Sequence, residues 1–139
     1  MKDVASEVKT LTAIKPQVAS GESAAIAGYT LDRKGCNSGV FSVAVGDAVG
    51  TPTRFGITFK VQSKSGEESW ADASGQTKTF SGETTVLVVN QQYMIPSDFR
   101  ALGRYVRLVA TPTFTAGSSP KIHIAAVCVI GQASVSPIA

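Results

Sequence analysis

Between Phe55 and Ser63 the chain alternates without interruption. Phe55, Ile57, Phe59 and Val61 are apolar, and Gly56, Thr58, Lys60 and Gln62 between them are small or polar. Successive side chains of a strand point to opposite faces, so this period of two specifies a strand with one buried and one wet face. Such strands belong to antiparallel sheets packed on one side only, as in a sandwich.

Other segments follow the same pattern. Phe41, Val43 and Val45 are predicted to face inward from a strand over 40–45, and 24–31 is predicted to be a strand of small residues. Thr84–Val89 is apolar on both faces and is placed centrally in a sheet. Tyr105–Thr111 and Lys121–Ile130 flank a Pro/Gly/Ser-rich segment and are expected to pair as a hairpin at the centre of the core. In the last of these Ile122, Ile124, Ala126, Cys128 and Ile130 share one face, and His123, Ala125, Val127 and Val129 the other, again with neighbours on both sides. Pro96–Gly103 is predicted to be one helical turn, capped by Ser97 and stopped by Gly103. Trp70, just after the Ser65-Gly66-Glu67-Glu68 turn, is expected to plug the core, with stacking against a carbohydrate as the alternative. Seven or eight short strands with regular turn signals make an all-β antiparallel β-sandwich, of jelly-roll type, or else a partly open barrel.

The domain is placed at 21–131, with residues 1–20 as an extended N-terminal arm and 132–139 as a C-terminal tail. In the arm Val8, Thr10, Thr12 and Ile14 oppose Lys9, Leu11, Ala13 and Lys15, and neither side is clearly apolar. Pro16 removes a ladder donor, so this is an edge strand or an extended segment. It either pairs at the edge of its own sheet or adds to the sheet of another subunit.

Only 17% of the 139 residues are charged against 43% hydrophobic, so the surface relies on Ser, Thr, Gly and Gln. That balance suits a protein part of whose surface is covered in an assembly. The net charge of +3 is too small to argue for nucleic acid. Up to Asp98 the acids outnumber the bases by ten to nine. Beyond it stand Arg100, Arg104, Arg107 and Lys121 with no acid, either a basic end for an acidic partner or four solvated side chains. Cys36, Cys128 and the single His123 provide no zinc ligand set, and a disulfide requires the fold to bring the two cysteines together. No catalytic triad, carboxylate pair, metal site or phosphate-binding loop is recognisable, so neither enzymatic activity nor a cofactor is expected; His123 sits mid-strand, and Glu67 and Glu68 tip a turn. Met1-Lys-Asp-Val lacks the apolar stretch of a signal peptide and no apolar run is of spanning length, so cytosolic synthesis without a membrane partner is expected.

Two blocks carry a resemblance: Phe59-Lys-Val-Gln-Ser-Lys-Ser-Gly, followed by Ser69-Trp-Ala-Asp, and Gly103-Arg-Tyr-Val-Arg-Leu-Val-Ala-Thr. They are similar to discoidin-type jelly-roll domains. Together with the closing Ala125-Ala-Val-Cys-Val-Ile-Gly, they also resemble small virion proteins of tailed bacteriophages, across roughly residues 24–131. The phage resemblance implies a non-enzymatic capsid decoration or cement protein: a homo-oligomer, dimer or trimer, that binds the major capsid protein lattice within the virion. Val8, Leu11, Ile14, Arg104, Arg107 and Ile138 are its candidate partner-binding residues. The discoidin resemblance implies instead a module that binds carbohydrate or a surface through loops near Trp70 and Tyr93.

Overall fold

The computed structural model describes residues 8–20, 25–34, 36–83, 86–87, 94–100 and 102–133. The strands are β1 (Lys9–Ser20), β2 (Ile26–Ala27), β3 (Leu31–Asp32), β4 (Cys36–Val49), β5 (Arg54–Lys64), β6 (Ala71–Glu83), β7 (Val86–Leu87), β8 (Met94–Asp98), β9 (Tyr105–Thr115) and β10 (Lys121–Ala133). They form two antiparallel sheets. The four-stranded sheet runs β1-β10-β4-β8; the six-stranded sheet runs β2-β9-β5-β6-β7, with β3 also on β9. With β2 and β3 taken as one interrupted strand, this order is a jelly roll, in which most sequence neighbours lie in opposite sheets and β5, β6 and β7 stay in one.

The period-two strands fill the space between the sheets. Phe55, Ile57, Phe59 and Val61 of β5 and Val106, Leu108 and Ala110 of β9 face Phe41 and Val43 of β4 and Ile122, Ile124, Ala126, Cys128 and Ile130 of β10, all buried. Phe59 and Phe80 meet edge to face, with ring centres 5.8 Å apart. Cys36 and Cys128 are both free thiols in this core.

Several sequence expectations are corrected. The strands β9 and β10 do not pair. The first lies between β2/β3 and β5, the second between β1 and β4. Residues 116–120 carry the chain across the sandwich with left-handed backbone at Ala116, Gly117 and Ser119, and the Ser118 amide donates to the Gly50 carbonyl. The segment predicted as a helical turn begins as the end of strand β8, which runs antiparallel to β4 from Met94 to Asp98 and so takes in Pro96, Ser97 and Asp98. Ser97 is buried in it, its hydroxyl donating to Gln76 Oε1 rather than capping a helix. A single turn does follow, with the Leu102 amide on the Phe99 carbonyl, and it is Asp98 whose carboxylate accepts the Arg100 amide. Only the two-residue β2 and β3 form where a strand over 24–31 was expected. Val86–Leu87 stand at the end of their sheet, and the rest of 84–89 lies outside the described residues, apart from that pair.

From Lys9 on, the residues assigned to an arm are an edge strand, paired with β10 from Lys9↔Ile130 to Ser20↔Lys121. The sandwich therefore begins well before residue 21. Two register shifts flank Ile14, one from Thr12 and one to Gln17, and Pro16 lies within the second. Bulges and proline blunt the free edge of a strand, which disfavours adding a further one there. Gly28 ties the sheets together: its amide donates to Leu108 O, and the next amide, of Tyr29, to Ala13 O across the sandwich. A Cβ at Gly28 would stand 2.3 Å from that Ala13 oxygen, so only glycine fits.

Candidate functional site

The two outer faces of the sandwich differ in chemistry. On the four-stranded sheet, alternation and register set Thr10, Val129, Val40 and Pro96 in one row, and Thr12, Val127, Ser42 and Met94 in the next; Ala125 and Ala44 follow. None of these carries a formal charge, while Asp98, two residues beyond Pro96, and Lys121, opposite Val49, stand at the two ends of the same face. Val18 (43% exposed), Val49 (46%), Met94 (48%) and Val127 (39%) all lie on this face. A shallow apolar depression between β1, β10 and β4 is lined by Pro16, Val18, Ala44, Val45, His123 and Ala125. Exposed apolar residues scattered singly are ordinary, whereas these are contiguous over the middle of the face.

The outer face of the six-stranded sheet is polar. Thr58, Lys60, Gln62 and Lys64 of β5 stand between Arg107 and Tyr105 of β9 and Asp72, Thr77 and Thr79 of β6. Trp70 lies here and not in the core: it precedes Asp72 by two residues, so it shares that outward face, and it is half-buried. The Arg107 guanidinium stands 4.3 Å and the Lys64 ammonium 5.1 Å from the indole ring centre. Arg107 Nε also donates to Gln62 Oε1 at 2.9 Å, and burial lowers the Arg107 pKa. Stacking on an aromatic face and a side-chain acceptor together hold the guanidinium in one orientation. Asp72 is held below its usual range by hydrogen bonds from Gln62 and Lys60. Nearby, Arg104 grips Asp32 with two bonds of 2.8 and 3.0 Å, which brings the Asp32 pKa down to about 2.

The turn that carries Trp70 is braced from beneath. A Cβ on Gly103 would stand 2.3 Å from the Lys64 carbonyl oxygen, so the two backbones touch. Arg33 fastens this junction, donating from Nε to Gly103 O (2.8 Å), from one terminal nitrogen to Leu102 O, and from the other to Cys36 O (3.2 Å).

The sequence-derived partner residues do not form one cluster. Ile14, only 1% exposed, is a core residue, because its face of β1 looks into the sandwich; Leu11 packs on the same core. Val8 is half-buried just before β1, and Ile138 and Tyr93 lie outside the described residues. Arg104 and Arg107 do share one face, but Arg100 pairs with Asp98 beside β8, and Lys121 lies at the opposite end of the sandwich. The basic end of the sequence is thus dispersed in space. Sequence reasoning missed the outer face of the four-stranded sheet, although its signal was present in Ala125, Val127 and Val129. Among the described residues no three His, Cys, Asp or Glu side chains converge.

No family model matches this chain, and no curated protein does. Among solved structures it is similar over 91% of its length to 32% of a chain in the infectious bursal disease virus VP2 subviral particle, at 8% identity and a TM-score of 0.54. It also aligns over 91% of its length with 87% of the C-terminal family 22 carbohydrate-binding module of Clostridium thermocellum Xyn10B, at 14% identity and a TM-score of 0.44. The chain spans about a third of the virus chain it matches. The likeness to VP2 is one of fold, the jelly roll seen here.

Proposed function

We propose that this protein is a non-enzymatic virion structural protein of the capsid decoration or cement type. It associates with itself through the outer face of the four-stranded sheet and binds the major capsid protein lattice, in virions assembled in the host cytoplasm. The uncharged middle of the face formed by β1, β10, β4 and β8, bounded by Asp98 at one end and Lys121 at the other, is the observation that carries this reading. Four strands about 4.8 Å apart and some seven residues long cover roughly 450 Å² per copy, or about 900 Å² for two. That is the size of a weak, reversible interface, and a second copy suits it because the middle of the face brings no charge to be desolvated. The resemblance to phage virion proteins, the low charge content and the fold shared with a viral capsid protein support the placement in a virion.

The test is co-sedimentation with empty heads of the encoding phage, prepared without this protein. Saturable attachment at a fixed number of copies per capsomer is expected, and Val127→Glu, in the middle of the uncharged face, should reduce it strongly. Thr58→Glu on the opposite face should not. Heads that bind no wild-type protein would overturn the proposal.

A further inference from the structure

We infer that the outer face of the six-stranded sheet, on the opposite side from the proposed self-association face, is a binding site for an extended acidic saccharide. Three observations converge on it. First, Arg107 is fixed against Trp70 and Gln62 through its Cζ and Nε, while its two terminal nitrogens make no salt bridge or hydrogen bond to the described residues. A pre-oriented guanidinium whose outer fork is unspent is suited to bidentate capture of a carboxylate. Lys64, beside the same indole, adds a second cation with no acid paired to it among the described residues.

Second, the same face runs away from Trp70 as a track of hydroxyls. Thr58 and Thr79 meet at 3.0 Å, and Thr111 and Thr113 follow on β9. Strand backbones hold these groups rigidly, so hydrogen bonds to sugar hydroxyls are made at little cost in side-chain entropy. Third, the track leads into an open groove at its far end, where Gly56 leaves a gap between Ser81 and Thr113 and Arg54 lines the wall. A Cβ at Gly56 would stand 3.1 Å from Thr113 Oγ1 and 3.3 Å from Phe80 O, so a side chain there would close the groove. The strand rise makes the path from Lys64 to Arg54 about 33 Å long, the reach of several sugar units. An acidic protein segment would satisfy the cations but would leave the hydroxyl track unused, so a saccharide is the better fit.

Trp70 is the only tryptophan of the chain, so its emission reports on this site alone. The full-length protein is titrated with hexagalacturonate, with neutral cellohexaose and with polyglutamate, following Trp70 emission and calorimetry. Saturable binding of hexagalacturonate is expected, with cellohexaose weaker by roughly tenfold or more, the factor a charge-assisted pair supplies. Arg107→Gln should weaken hexagalacturonate by a similar factor while leaving the circular dichroism spectrum unchanged. Should that variant fail to fold, Lys64→Gln and Gly56→Val, at the two ends of the track, test the same face. Equal affinity for the neutral sugar, binding of polyglutamate alone, or no saccharide binding at all would each overturn the inference.

Discussion

Replacing Arg33 by alanine should destabilise the sandwich far more than removing a surface arginine normally does. The side chain lies in a polar stretch, Asp32-Arg-Lys-Gly, yet its guanidinium holds three carbonyls, those of Leu102, Gly103 and Cys36, from segments about seventy residues apart in sequence. A hydrogen bond from a charged donor contributes about 1.5–3 kcal/mol where no water replaces it. The three sites are only part-buried, so water recovers much of this, and about 2.5 kcal/mol in all is a reasonable total. With a urea slope of about 1.5 kcal/mol/M, the midpoint should fall by about 1.7 M. Arg33→Lys keeps the charge but offers one ammonium in place of a planar fork, so it should recover less than half of the loss. Urea titrations followed by Trp70 emission and by far-ultraviolet circular dichroism decide the matter. A midpoint shift below about 0.3 M, within the extrapolation uncertainty, would refute the clamp.

Three further outcomes are expected. Gly103→Ala must push the Lys64–Ser65 backbone away, so a loss of about 2 kcal/mol or more should accompany a shift in native Trp70 emission; a native spectrum identical to wild type would contradict the close contact. The Asp32–Arg104 pair is half-exposed, so Asp32→Asn should cost under about 1 kcal/mol at neutral pH. The Asp32 pKa is depressed to about 2 by Arg104, so the contribution is complete above the ordinary carboxylate range and is lost as pH falls towards 2; thermal melts in which the difference from wild type persisted below pH 2 would disprove it. Burial raises the Cys36 pKa and pushes that of Cys128 up to about 12, so a thiol reagent at pH 8 should label neither until urea unfolds the chain; prompt native labelling would place a thiol outside the core.

Legibility followed the strength of local pattern. In β5 every inward position is evident from sequence, because apolar residues alternate with small or polar ones; in β10 both faces are mostly apolar, so the pattern marks a strand without singling out the face that Ile122, Ile124, Ala126, Cys128 and Ile130 turn to the core. The strand β6 leaves little pattern in the sequence for a physical reason. Over Ala71–Gly82 its buried apolar residues are only Ala73 and Phe80; Gly75 adopts left-handed backbone, and the pairing with β5 slips by three residues there, from Lys60↔Thr77 to Gln62↔Asp72. The β8 segment imitated a helix start, since Pro96 and Ser97 are also the residues of a first turn and a cap, and its pairing with β4 overrides that local preference. Partner choice was the least legible level. Both β9 and β10 suit a central place, and nothing local says that they enter different sheets. Trp70 followed the same rule in reverse: its size suggested the core, but its register with Asp72 turns it outward, where two cations meet it.

The uncharged face of the four-stranded sheet is central to this account, and the molar mass of the purified protein across a wide concentration range tests it most directly. Light scattering should show the mass rising from one chain towards two as concentration increases, with Val127→Glu remaining at one chain throughout. A wild-type protein that stays at one chain to millimolar concentration, or a Val127→Glu variant that associates as readily as wild type, would contradict the assignment of that face.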